Sequence, residues 1–129
     1  MNVEYVALDF AAVLQRQLKK DPVDKGGWSA AVGNWQGIDW LNPAGNTNLR
    51  GEGAVAGWYK SEKMGTLRAQ WLAAPDLAAQ QRICRDIQTL AFEEIPYYPV
   101  GLYKQPTAYR RSITGILDGT AVFWNVRPA

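Results

Sequence analysis

The chain has 129 residues, 47% of them apolar, and a formal charge of +2 from 14 Lys and Arg against 12 Asp and Glu. That length suits one domain with a real core, and basic residues that come in pairs (Lys19-Lys20, Arg110-Arg111) rather than runs leave no electrostatic footprint for nucleic acid. With no histidine and one cysteine, the usual nitrogen and sulfur ligands of zinc and copper are missing, as is every nucleophile-base pair built on imidazole.

Six tryptophans argue against disorder and for either a dense aromatic core or an aromatic site. No stretch approaches the roughly twenty apolar residues that span a bilayer, and the N-terminus lacks the basic, apolar, small-residue order of a secretory signal. That normally implies the cytoplasm, but the chain enters a strand-like run at once, which is expected of a piece of something longer.

Val3 to Leu8, rich in β-branched and aromatic residues, reads as a mostly buried strand. Asp9 then caps a helix whose Phe10, Val13, Leu14 and Leu18 recur at helical spacing, with Arg16, Lys19 and Lys20 toward its C-terminal end. Pro22 and Gly26-Gly27 end that element, and Trp28 to Val32 is a short second strand. Asn34 to Gly57 is a loop far longer than the usual connection of about four to six residues, a length that is commonly functional or disordered. Its tryptophans predict order. Within it, Gly33-Asn34-Trp35-Gln36-Gly37-Ile38-Asp39-Trp40-Leu41-Asn42-Pro43 combines turn chemistry, large aromatic surface and a carboxylate, which suits ligand capture better than core building.

Ser61 caps a helix carrying Met64, Leu67, Trp71 and Leu72 on one face; Asp76 caps another carrying Leu77, Ile83, Ile87, Leu90 and Ala91. Cys84 falls on that second apolar stripe, where a thiol behaves as a small buried hydrophobe. Ile95-Pro96 ends the helix, and Tyr97 to Tyr103 reads as a strand whose internal proline puts it at an edge. Ala108 to Arg111 and Val122 to Val126 are further short strands, with turns at Thr114-Gly115 and Asp118-Gly119. Strands interleaved with helices predict an α/β layer arrangement. The last strands have no nearby sequence partner of their own kind and are expected to belong to a sheet completed elsewhere.

In this order the elements resemble the C-terminal part of extracytoplasmic solute-binding proteins of ABC transporters, of the peptide and nickel class (family 5). The carriers are Asn2-Val3-Glu4-Tyr5, Gly33-Asn34-Trp35-Gln36-Gly37 running into Asp39 and Asn42-Pro43, Gly57-Trp58-Tyr59, Ala74-Pro75-Asp76-Leu77, Glu93-Glu94-Ile95-Pro96-Tyr97-Tyr98-Pro99, and Tyr109-Arg110 to Phe123-Trp124-Asn125. Any one is common; six in sequence span almost the whole chain. Lys60 departs from the small polar residue that the family often carries there, and Ala44 to Ala56 is unusually rich in Gly, Asn and Ala.

The resemblance implies a non-catalytic receptor of two lobes that closes over a short peptide or related solute and delivers it to a membrane permease. The fold it implies is part of a periplasmic-binding-protein type II-like lobe, a mixed sheet flanked by amphipathic helices. Residues 1–104 would form most of the second lobe, and 105–129 the strands that cross back toward a first lobe of the same protein. Family members are several times longer than this chain. An extracytoplasmic or periplasmic location, a signal peptide in the precursor and a monomeric intact protein are implied, with self-association of the isolated segment. No cofactor, metal ligand or catalytic residue is expected.

Asn34, Trp35, Gln36, Asp39 and Trp40 are the candidate ligand-binding residues. Trp35 either plugs the end of the lobe core or lines the cleft, where relatives dock an extended ligand backbone along the adjacent strand. Asp39 is either a loop cap or the counter-charge of a ligand amine, since peptide-binding relatives place an acid shortly after the tryptophan. Trp40 and Trp58 are possible pocket walls, although Trp58, next to a helix start, is expected to be structural. Tyr97, Tyr98 and Tyr103 are expected to pack, and Arg50 and Glu52 to be solvated. The rival from another class is an aromatic carbohydrate-binding module, which predicts an all-β chain; an acid-base pair of Asp39 and Glu52 for glycoside hydrolysis is a more distant one.

Overall fold

The computed structural model describes residues 2–119 and 122–129. Three α-helices, α1 (Phe10–Gln17), α2 (Glu62–Leu72) and α3 (Leu77–Glu94), are followed by a two-stranded sheet of β1 (Ile113–Thr114) and β2 (Arg127–Pro128). Three single 3₁₀ turns, Val23–Lys25, Gly37–Trp40 and Thr47–Leu49, punctuate the connections. The architecture is mixed helix and sheet, as the α/β expectation requires at that level.

Each helix begins where a short polar side chain can hold an orphan amide. Asp9 accepts from the Ala12 N–H at 3.0 Å, Ser61 from Met64 at 3.2 Å and Asp76 from Ala79 at 2.7 Å, contacts typically worth about 1 kcal/mol apiece. Helix α3 stops at Ile95, which takes a left-handed conformation with φ of 47°, unusual for a β-branched residue. Pro96 follows and has no N–H to extend the helical ladder.

The core lies between α2 and α3. Met64 and Ile87 are fully buried with Leu90 and Leu49, and Leu67, Trp71, Ile83, Ala91, Tyr59 and Tyr97 pack around them. The 3₁₀ turn at Thr47–Leu49 belongs to this cluster because Leu49 is inserted into it. Leu72 and Leu77, expected on the buried faces, point outward at the junction of the two helices, and Cys84 is half-buried. Among the described residues the apolar stripe of α1 is largely uncovered, with Phe10 76% exposed and Leu18 71%, and Val13 half-buried.

Tyr59 fastens the loop before α2 to the last turn of α3 by donating its hydroxyl to the Glu94 carboxylate. That bond, then Ser61, holds the Glu94 carboxyl below its usual range, while burial and the same bond push the Tyr59 phenol up. Both shifts favour neutral tyrosine beside ionised carboxylate. The Glu94 contribution is present above the ordinary carboxylate range and fades as pH falls through its lowered value; the Tyr59 contribution fades as pH rises through its raised one.

The strand expectations are corrected by the structure. Residues 3–8, 28–32, 97–103, 108–111 and 122–126 form no strand, because strand pairing needs a second backbone and no ladder partner lies beside them. The only ladder among the described residues pairs Ile113 with Pro128 and Thr114 with Arg127, antiparallel. The two long helices, α2 and α3, pack chiefly on each other. Residues 120–121, within the 105–129 segment, lie outside the described residues.

A core this concentrated makes a sharp prediction about stability. Met64→Ala should cost about 2–5 kcal/mol in urea unfolding, whereas Phe10→Ala on the uncovered face of α1 should stay within about 0.5 kcal/mol.

Candidate functional site

The aromatic loop is held against the helical core by polar contacts to its backbone. Asn42 Oδ1 accepts from the amides of Ala44 and Gly45 at 3.0 and 2.9 Å, the side-chain mimic of a backbone turn. Arg68 of α2 reaches across to the Pro43 carbonyl at 2.9 Å and the Ala44 carbonyl at 3.4 Å. Burial, then the neighbouring Arg50 charge, pulls the Arg68 pKa down, with Glu52 opposing; an arginine remains charged regardless. A glycine further along is required by crowding: Gly51 has φ of 71°, and a Cβ there would stand 2.5 Å from the Ser61 carbonyl oxygen.

Three aromatic rings stand in series here, two from the loop and Tyr97 from the segment after α3. Tyr97 meets Trp40 edge to face at 4.5 Å and 87°, and Trp40 meets Trp35 at 5.9 Å and 66°, arrangements that the ring quadrupoles favour. The series is fixed at its inner end by Asn46, only 6% exposed, whose amide donates to the Tyr97 hydroxyl at 3.2 Å while its oxygen accepts from the Asn48 N–H at 3.1 Å. At the outer end the Trp35 ring lies over Gly33, where a Cβ would come within 2.8 Å of a ring carbon. Trp35 is half exposed.

Beside these rings is a hollow of about 230 Å³ lined by Trp35, Asp39, Trp40, Gly45, Asn46, Thr47 and Asn48. Its only charged lining residue is Asp39, on the 3₁₀ turn Gly37–Trp40. One acid beside two indole rings and several amide groups is suited to binding a small cationic group.

The structure therefore brings together Trp35, Asp39 and Trp40 of the five candidates. Asn34 faces elsewhere and donates to the Tyr103 hydroxyl at 2.6 Å, and Gln36 is an exposed residue preceding the 3₁₀ turn, without a capping side-chain bond. Neither lines the hollow. Trp58 is not a wall of it. Its ring stacks obliquely on Trp28 at 5.8 Å, with Lys20 Nζ 5.1 Å from the ring centroid. Trp28 in turn donates to the Gln17 carbonyl at 3.2 Å, so this second aromatic pair ties the end of α1 to the chain near residue 58. Tyr97 packs as expected, while Arg50 and Glu52 are exposed. Sequence reasoning missed Asn46, Thr47 and Asn48; the tight Asn-Thr-Asn run in an otherwise small-residue stretch was the available signal.

Over its whole length the chain is similar to a segment of an ABC transporter periplasmic-binding protein, the kind of protein that its motifs resemble. The match is to the probable peptide ABC transporter periplasmic-binding protein y4tO of Sinorhizobium fredii, 31% identical over 132 residues. The chain spans 25% of that relative's length. No protein-family model matches it. Among the described residues no helix is long and apolar enough to cross a membrane. Three α-helices are also unlike the all-β build expected of a carbohydrate-binding module.

Asn46 links the core to the aromatic series, so its removal has a distinct signature. Asn46→Ala strips the Tyr97 hydroxyl and the Asn48 amide of a partner and should cost about 1–3 kcal/mol. It should also reduce the near-ultraviolet circular dichroism of the coupled Trp35 and Trp40 rings; an unchanged aromatic spectrum would show that the rings hold their places without it.

Proposed function

We propose that the intact protein containing this segment captures a short peptide or a related small solute for import through an ABC transporter, without transforming it. The match to a peptide-transporter binding protein supports the class of function, and the hollow joining Trp35, Trp40 and Asp39 is the observation that supports a ligand contact on this segment. In this reading residues 1–104 form most of the second of two lobes and residues 105–129 cross back toward the first. Ligand contacts to both lobes then favour the closed state, and only contacts that differ between open and closed states drive closure. The protein works outside the cytoplasm, reaches that location by a signal in its precursor, is monomeric when intact and hands its ligand to a membrane permease.

Within the cleft, Trp35 and Trp40 supply apolar surface that orients the ligand, and Asp39 supplies the counter-charge for its amine. Asn34 and Gln36 lie next to these residues in sequence, on the stretch over which an extended ligand backbone would run. Both are exposed; the Gln36 carbonyl already accepts from the Asp39 N–H at 3.0 Å, so the backbone of Asn34 is the better placed of the two for such pairing.

The test is calorimetry of the intact protein with a peptide bearing a free terminal amine. Asp39→Asn should weaken binding by about 1.5–3 kcal/mol, the range of a hydrogen bond to a charged group. Unchanged affinity would remove Asp39 from the site.

A further inference from the structure

Two tryptophan pairs stand in this chain, and they differ in charge. The Trp28–Trp58 pair has a cation of its own, since Lys20 Nζ sits 5.1 Å from the Trp58 ring centroid. The Trp35–Trp40 pair lines a hollow whose only charged member among the described residues is the Asp39 carboxylate. One pair is complete; the other has two electron-rich rings and an anion facing a space.

The shape of that space bears on what fills it. The two indole planes, inclined at 66°, form a corner rather than a parallel sandwich. Trp40 is supported from behind by Tyr97, and Tyr97 by the buried Asn46, so the corner is held before a ligand arrives, which lowers the cost of binding. The hollow, at about 230 Å³, is far larger than the roughly 10–15 Å³ that a single water-sized group such as a bare ammonium needs on the same measure.

Hydrogen-bonding capacity points the same way. A primary ammonium carries three donors and is best held by acceptors on each. Asp39 provides the one anionic acceptor of the lining, and Thr47, Asn48 and the Asn46 oxygen, which already accepts from the Asn48 amide, offer only neutral ones. A cation whose charge is spread over N-methyl groups needs no such acceptors. It is weakly hydrated, presents apolar surface to both rings, and is attracted by the ring quadrupoles at centroid distances up to about 6 Å.

We propose that the corner of Trp35 and Trp40 with Asp39 is a subsite for an N-methylated ammonium group, di- or trimethylated, at one end of the captured solute. This rests on the solute-capture reading given above and narrows its ligand class. Asp39 balances the charge, the two rings enclose the methyl groups, and the remainder of the ligand extends out of the hollow.

The experiment compares three forms of one probe, trialanine with a free amine, with an N,N,N-trimethylated amine and with an acetylated amine, by calorimetry on the intact protein. The trimethylated form should bind roughly three- to tenfold more tightly than the free amine, the acetylated form should be the weakest, and Trp35→Leu should abolish the preference between the first two. Tighter binding of the free amine than of the trimethylated form overturns the subsite while leaving peptide capture standing. Equal binding of all three overturns any amine subsite here, and binding of none overturns both this proposal and the solute reading on which it rests.

Discussion

The packing of α2 on α3 is the constraint from which the rest of the molecule takes its place. Met64, Ile87 and Leu90 close that interface, and Leu49 plugs it from the preceding loop. The two helices are joined by only a short turn through Pro75 and Asp76, so their contact is local and its loop-closure entropy small. Everything that gives the aromatic loop a defined shape is a bond back to this pair. Arg68 projects from α2 to hold the backbone at Pro43 and Ala44, and Tyr97 lies just past the end of α3 to back the Trp40 ring.

That arrangement explains how a loop of such length carries a defined hollow without a sheet beneath it. Its backbone groups are satisfied by side chains, as with Asn42 and the Ala44 and Gly45 amides, or by neighbouring loop backbone, as where Gly53 donates to the Tyr59 carbonyl and Ser61 to that of Gly51. Asn46 is the one buried polar side chain within it and is bonded through both its oxygen and its nitrogen. A buried amide satisfied in this way fixes one ring orientation against its alternatives, because any other arrangement leaves a polar atom without a partner.

Helix boundaries were legible in the sequence because an N-cap is a local event. Asp9, Ser61 and Asp76 each bond an amide three residues on, and no distant partner enters. The central core positions of α2 and α3, Met64, Ile87 and Leu90, followed from periodicity for the same reason, whereas Leu72 and Leu77 at the junction of the helices stand exposed. Strands at 3–8 and 97–103 were expected from composition, yet a ladder depends on a second backbone that composition does not specify, and side chains such as Val100 and Leu102 stand exposed where a sheet would have covered them. The cleft was half legible. Turn chemistry and tryptophan content marked the loop, whereas the separation of Asn34 and Gln36 from Trp35, Asp39 and Trp40 depends on the backbone path through residues 34–40 and on the Asn34 contact with the distant Tyr103. The role of Asn46 rests on a hydrogen bond to a tyrosine 51 residues away, for which sequence carries no sign.

The central claim is that, of the tryptophan pairs, Trp35 and Trp40 meet the ligand while Trp28 and Trp58 hold the chain together. The indole N–H resonances of the intact protein, assigned by single Trp→Phe replacements, separate these roles in one peptide titration. The account predicts that the Trp35 and Trp40 signals shift with added peptide and saturate together, with Trp28, Trp58 and Trp71 left in place. Shifts confined to Trp28 and Trp58, with Trp35 and Trp40 unmoved at saturating peptide, would contradict it.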